Sequence, residues 1–428
     1  MDNDEIKLAF ENCVKSLLRF IQEQNLVSVI YDIAPKIDFS QRIWYLDLES
    51  KYVYSKGKLF ELINRRVIIP EVEKCVELML RENFPQRINM KIVDSFGRPV
   101  ENPDYRPFLI GDVLLPLIFK YVEKCGLIYN EECFEKIYKE LLEYVYASKL
   151  PYLIVAPLEN FELNNIEEVT IGEYRIRKLE EEEIKTLLSV AGGEILGPSF
   201  LSSGFLTNIY CIERKVDVPK GMSLDMSTYF RDIESFITAL RLFKHGDVSY
   251  NAVLYYSKVW RISYSATGPF VRIVRSSSKY VLDSSDVECF KNFWKAFEKT
   301  INSFPNNIKF SLRWFNKSYL EFNEIDRLLD LAIALETLFQ TGERLDLYVA
   351  HFIGKNSEER KEIWKDMDKL RKIRGAIVHR GYYDVDRGFV DRIEDYYRRS
   401  AKIFIESLSE GKISYEDIIE GIKDKILS

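Results

Sequence analysis

Histidine is scarce in this chain, with 3 in 428 residues. Cysteine is little more frequent. The 6 cysteines are Cys13, Cys75, Cys125, Cys133, Cys211 and Cys289, and no two of them form a C-x-x-C pair. These shortages exclude a zinc finger or ribbon, whose ligands must be nitrogen or sulfur at close spacing. No metal and no cofactor is expected. The cysteines read as reduced core thiols of a cytoplasmic protein, with Cys125 and Cys133 the one pair close enough in sequence for a disulfide. Long apolar runs are also lacking. The most apolar stretch, Phe108 to Phe119, is interrupted by Asp112 and Pro116 and reads as core, so no membrane partner is expected. The start, Met1-Asp-Asn-Asp-Glu-Ile6, has no basic and apolar regions of a signal peptide. There is no basic excess: the formal net charge is −6, which argues against a surface built for duplex nucleic acid. A local basic pocket remains compatible with that value. No phosphate-binding G-x-x-x-x-G-K-[ST], no dinucleotide G-x-G-x-x-G after a strand, no G-x-S-x-G and no H-E-x-x-H occurs.

What is present is a globular composition, 46% hydrophobic and 30% charged, on a chain long enough for two or three domains. The periodicity gives a multi-domain α+β protein. A mainly helical N-terminal region covers 1–150, a mixed α+β domain 151–310, and a C-terminal helical domain 318–428. In the first region, Ile6, Phe10, Val14, Leu17, Leu18 and Ile21 form a helical stripe. Pro70 opens a second helix, Ile88 to Asp94 alternates like a strand, and helices follow over 110–126 and 130–147. Tyrosines are frequent there, and read as core and rim packing rather than as a base-stacking platform. Leu150-Pro151 reads as the first boundary. Beyond it come a short strand from Tyr152 ended by Pro157, a hairpin around Gly172, and strands at Tyr210 to Val218, Val253 to Ser265 and Phe270 to Val274. Glu180 to Glu183 reads as acids in the first turn of a helix. Arg241, Lys244 and His245 close a helix over 228–244, most simply as complements to its dipole. Pro305 to Lys317 reads as the second boundary.

The stretch with the most chemical content is Asp368-Lys-Leu-Arg-Lys-Ile-Arg374-Gly-Ala-Ile-Val-His379-Arg-Gly381. Ile363, Met367, Leu370, Ile373 and Ile377 recur at helical steps, and a turn of about 100° per residue puts Arg374 inside that apolar stripe. An earlier helix has Ile325, Leu328, Leu329, Ala332, Leu335 and Phe339 on one face, with Glu336 in the middle. Two apolar faces that each carry one charge, of opposite sign, are expected to pack with Glu336 against Arg374. The simplest account is a buried structural ion pair. The sharper one makes Glu336 the orienting partner of a catalytic arginine. Lys369, Arg371, Lys372, Arg374 and Arg380 sit together with no acid among them, either a solvated basic helix end or a phosphate site. Arg392, Arg398, Arg399 and Lys402 on the last long helix read as another basic rim.

Leu331-Ala-Ile-Ala-Leu-Glu-Thr-Leu-Phe339, the helix through Tyr348-Val-Ala-His-Phe-Ile353, and Leu370 to Gly381 resemble the HEPN domain in its Apea-like branch, over about residues 320–410. Arg374-x4-His379 falls within the Arg-x(4–6)-His pattern of HEPN ribonucleases. Pro157-Leu-Glu-Asn160, Tyr174-Arg-Ile-Arg177 and Ala239 to Lys244 resemble the segment that precedes this domain in relatives. The resemblance implies a four-helix bundle, a homodimer, and metal-independent RNA cleavage, with a role in defence or stress. Arg374 would hold the scissile phosphate, His379 would move the proton, and Lys369, Arg371, Lys372 and Arg380 would contact RNA. Two departures stand out: Gly375 follows the arginine where active members often have a polar residue, and Arg380 separates His379 from Gly381. The alternative is a non-catalytic module that binds RNA, a nucleotide or a protein partner. On one continuous helix Arg374 and His379 diverge by about 140°, so their convergence needs a distortion at Gly375, a break before Gly381, or a symmetric second chain.

Overall fold

The computed structural model describes residues 3–23, 27–38, 43–54, 69–88, 98–101, 103–180, 183–184, 187, 210–220, 225–250, 252–257, 259, 265–267, 278–342, 344–380, 384–411 and 413–427. Helices predominate, with a small sheet and a wholly helical C-terminal part. Seven strands pair in the order β10-β9-β3-β7-β6-β5, with β8 beside β3. Their ranges are β3 Lys149–Glu159, β5 Val169–Ile171, β6 Tyr174–Lys178, β7 Tyr210–Pro219, β8 Ser249–Tyr250, β9 Val253–Ser257 and β10 Ser265–Thr267. The chain divides into two compact units. One comprises Met1–Leu153, Lys215–Leu224 and Tyr255–Ser265, the other Ile154–Arg214, Asp225–Leu254 and Ala266–Ser428.

The first unit has helices α1 (Asn3–Glu23), α2 (Pro70–Arg81), α3 (Leu115–Cys125) and α4 (Glu131–Tyr146), and an antiparallel hairpin of β1 (Val27–Asp38) and β2 (Ile43–Tyr54). The stripe read from α1 is buried from Ile6 to Ile21, and Phe10 packs between Phe84 and Tyr138. Before α3 the helix widens into a π-turn over Ile110–Leu114. Pro116 lacks an amide hydrogen and its ring would crowd the Asp112 carbonyl, which is what a π-turn relieves. Cys125 ends α3 and Cys133 lies in the first turn of α4, and the two are joined as a disulfide. This corrects the reading of all six cysteines as reduced core thiols, and Cys289 is exposed. The strand read at Ile88 to Asp94 lies outside the described residues beyond Ile88, itself in a turn.

In the second unit the hairpin around Gly172 forms as read, with Ile171 opposite Tyr174. Gly172 has φ +59, and a β-carbon there would come within 2.9 Å of Trp294 Nε1, so both backbone and space call for glycine. β3 continues through Pro157 to Glu159, a correction to the strand end placed at that proline. β11 (Tyr280–Asp283) runs parallel to β4 (Phe161–Asn164). The reading of Phe270 to Val274 lies outside the described residues.

The stretch read as a boundary, Pro305 to Lys317, is instead a helix, α7 (Asn306–Ser318), after α5 (Met226–Phe243) and α6 (Val287–Ile301). Its Ile308, Leu312 and Phe315 are buried, and their steps of four and three were already in the sequence. α8 (Glu324–Phe339) packs along α7. α9 (Leu345–Ile353), α10 (Ser357–Arg380), α11 (Arg387–Ser409) and α12 (Tyr415–Leu427) complete the bundle. The caps are local and legible: Asn323 accepts from Ile325 N, and Asp386 from Phe389 N. Asn356 Oδ1 accepts from Glu359 N at 2.9 Å and starts α10. Phe315 stacks on Tyr397, and Phe339 meets Phe352 and Phe404 at the centre. Among the described residues no helix is long and apolar enough to cross a membrane.

Candidate functional site

Helix α10 buries Ile363, Met367, Leu370 and Ile373. Arg374 flanks that stripe instead of lying within it, with its side chain 43% exposed, which corrects the expectation of a buried arginine. Its Nη1 lies 2.7 Å from Glu336 Oε1 on α8. Among the described residues Glu336 is its one charged partner. Burial pushes the Glu336 carboxyl above its ordinary range, and the Arg374 charge only partly offsets this. Ala332, Leu345, Asp346 and Arg371 line a crevice beside the pair, with a free volume of about 10 Å³, room for roughly one water.

His379 is exposed, five residues further on. α10 is unbroken from Ser357 to Arg380, Gly375 included. Neither a distortion at Gly375 nor a break before Arg380 brings the two residues together, so they face about 140° apart. The structure therefore joins Arg374 to Glu336 and leaves His379 on a different face.

The basic cluster is not free of acids. Asp368, one residue before it, receives Arg371 Nη2 at 2.7 Å and Lys372 Nζ at 2.6 Å. The Lys369 ammonium sits 4.4 Å from the centre of the Phe389 ring. The Arg380 side chain lies outside the described residues. The second basic rim is also corrected. Arg392 pairs with Asp366, Arg399 with Glu359 and the Ile353 carbonyl, and Arg398 is buried. His351, half-buried on α9, has its pKa lowered by burial and by Arg360 and Lys425.

A second charged cluster escaped the sequence reading. Glu394 on α11 is fully buried and accepts hydrogen bonds from Tyr319 Oη at 2.7 Å, Arg398 Nη1 at 2.5 Å, and Arg327 Nη2. Arg327 also reaches Asp391 at 3.2 Å. Burial alone would raise the Glu394 pKa, but the His245 ring, Arg398, Arg327 and Tyr319 together hold it well below the usual carboxylate range. Arg241, read as a dipole complement, is buried, donates to the Val248 carbonyl and Asn316 Oδ1, and lies over the Tyr319 ring. The signal for Glu394 was available. It stands four residues after Val390 and three before Tyr397, a charge inside an apolar stripe like Glu336.

His245 touches this cluster and reaches the surface. Its Nε2 is 2.8 Å from Ser278 Oγ, and its Nδ1 is 3.1 Å from Arg398 Nη1 and 3.6 Å from Glu394 Oε1. The outline is that of a serine–histidine–carboxylate triad. Glu394 is already taken up by Arg327, Arg398 and Tyr319, and Arg398 lies closer to Nδ1 than Glu394 does, so the contacts are those of a buried ion cluster and no triad is assigned. A third cluster, Arg177 with Glu183 and Glu213, is buried in the sheet region; Glu183 lies in the first helical turn as read, where it accepts from the Glu180 amide at 2.7 Å, and it is also an interior partner of Arg177.

Comparison with family models, curated proteins and solved structures finds no match to this chain.

Proposed function

We propose that the chain is a metal-independent endoribonuclease of the HEPN type. The 2′-hydroxyl of a nucleotide attacks the adjacent phosphate, leaving a 2′,3′-cyclic phosphate and a 5′-hydroxyl. Arg374 stabilises charge on the phosphate oxygens. His379 exchanges the proton, the acid–base role an imidazole is chemically suited to. The observation that carries this reading is the Glu336–Arg374 pair. The guanidinium is held at one nitrogen, 2.7 Å from Glu336, while 43% of the side chain stays open to solvent. An arginine that must meet a phosphate needs a solvent-facing side, and Arg374 has one. Because α10 is continuous, the reading requires two copies of the chain, with Arg374 of one facing His379 of the other across a two-fold axis.

A second reading is a non-catalytic module that binds RNA or a protein partner. Asp368 favours it, because it already takes up two of the cations expected to meet phosphates. The test is incubation of the purified protein with mixed single-stranded and structured RNA in EDTA, beside His379→Ala, with mapping of product ends. Cyclic phosphate ends lost in the variant support the nuclease. Retained RNA binding without cleavage across many RNAs supports the module.

A further inference from the structure

The solvent face of α10 presents a tryptophan among lysines and arginines. Trp364 is 41% exposed, and its ring meets no other aromatic ring among the described residues. What sets it apart from the other exposed aromatics is its place among cations on one helix face. Measured from His379 at about 100° per residue, Lys361, Lys365, Lys372, Trp364 and Arg371 fall within about 80°, while buried Ile363, Met367, Leu370 and Ile373 lie at about 120° or more. One face of the helix thus carries all six side chains. Lys361 and Lys365 have no partner among the described residues. Arg371 and Lys372 are 60% and 71% exposed although both reach Asp368. Asp368, Glu358 in the first turn and, at about 100°, the exposed Glu362 are the acids on the solvent side. Asp366 is turned to Arg392 and Tyr396, and Glu359 to Arg399. At about 1.5 Å per residue the face runs about 27 Å from Lys361 to His379.

We propose that this face is the path of a single-stranded RNA toward His379, with Trp364 as the platform on which one base stacks. The proposal rests on the ribonuclease reading and names its substrate class. A free indole face suits an unstacked base, which a duplex does not offer, and stacking of this kind tolerates any base. The flanking cations suit the phosphates on either side, at a spacing a flexible strand can follow. Gly375, on the same face, has nothing within 4 Å of where a β-carbon would stand, so the strand meets open backbone between Arg371 and His379.

The test uses the full chain carrying His379→Ala, so that binding is read without cleavage, and a short fluorescein-labelled polyuridine strand followed by anisotropy. Adding Trp364→Ala is expected to weaken binding about ten-fold or more, with Trp364→Phe restoring most of it. Lys361→Gln with Lys365→Gln should flatten the salt dependence. Duplex RNA should be indifferent to Trp364→Ala. Equal affinity of the Trp364→Ala protein for the single strand overturns the path and leaves the ribonuclease reading standing. Binding sensitive to Trp364, with no cleavage by the unmodified chain, keeps the path and removes the nuclease. A chain that binds no RNA, and whose α10 face captures a protein instead, overturns both.

Discussion

Two glutamate–arginine arrangements sit in the same helical bundle, and they differ in almost every physical respect. Glu394 is enclosed, faces two arginines and a tyrosine hydroxyl, and is held ionised. Glu336 is half-buried, faces one arginine, and is pushed toward its neutral form. The first has enough donors to offset its desolvation; the second does not. An ion pair that is left short of partners and open on one side contributes little to stability. It is the one of the two that keeps a guanidinium available for a ligand. The buried cluster is where removal of a partner is costly, because a stranded charge cannot reach water.

That contrast can be broken by substitution. The largest effect is expected for Arg327→Met, which leaves Glu394 with one arginine fewer: a loss of about 3–5 kcal/mol in urea unfolding, as for other broken buried pairs. A loss below that range would mean that Arg398 and Tyr319 suffice alone. Next comes acid. Glu394 binds a proton less readily folded than unfolded, so its contribution is present above the unfolded carboxylate value, about 4.3, and declines as the pH falls below it. Glu394→Gln should therefore flatten the acid limb of a pH–stability curve.

Arg374→Ala should cost under about 1 kcal/mol, the scale of an ion pair open to solvent, while abolishing RNA cleavage. A loss of several kcal/mol would make Arg374 a structural residue after all. Glu336→Gln should be smaller still, within about 0.5 kcal/mol. Its sign depends on pH: the raised pKa means that ionised Glu336 disfavours the fold, so the wild type gains on the variant below the usual carboxylate range and loses ground as the pH rises through the raised value. The smallest effect on stability belongs to His379→Ala, within about 0.5 kcal/mol at an exposed position, with cleavage lost in parallel. A clear drop in melting temperature for that variant would show His379 to be a packing residue.

Much of this architecture could be read from local pattern. The stripes of α1, α8 and α10 and the caps at Asn323 and Asp386 need only neighbours three or four residues away. The same holds for the turn at Gly172, where backbone conformation selects the residue. The pairing of Glu336 with Arg374 was legible because each was the one charge on an otherwise apolar face. Helix α7 had its own stripe of Ile308, Leu312 and Phe315, yet Pro305 drew attention to a boundary. What required the tertiary structure was the fate of charges with more than one candidate partner. Asp368 takes Arg371 and Lys372 within its own helix, while Arg398 turns inward to Glu394 and His245, 153 residues away in sequence from the latter. Whether Arg374 is enclosed or open is likewise set by how closely α8 and α10 approach. The sequence by itself determined which faces are apolar, because burial of apolar surface follows a period the chain carries openly. Only the tertiary structure decided which charges are neutralised and which remain available, because electrostatic partners are chosen by distance in space, and distance in space is not encoded in spacing along the chain.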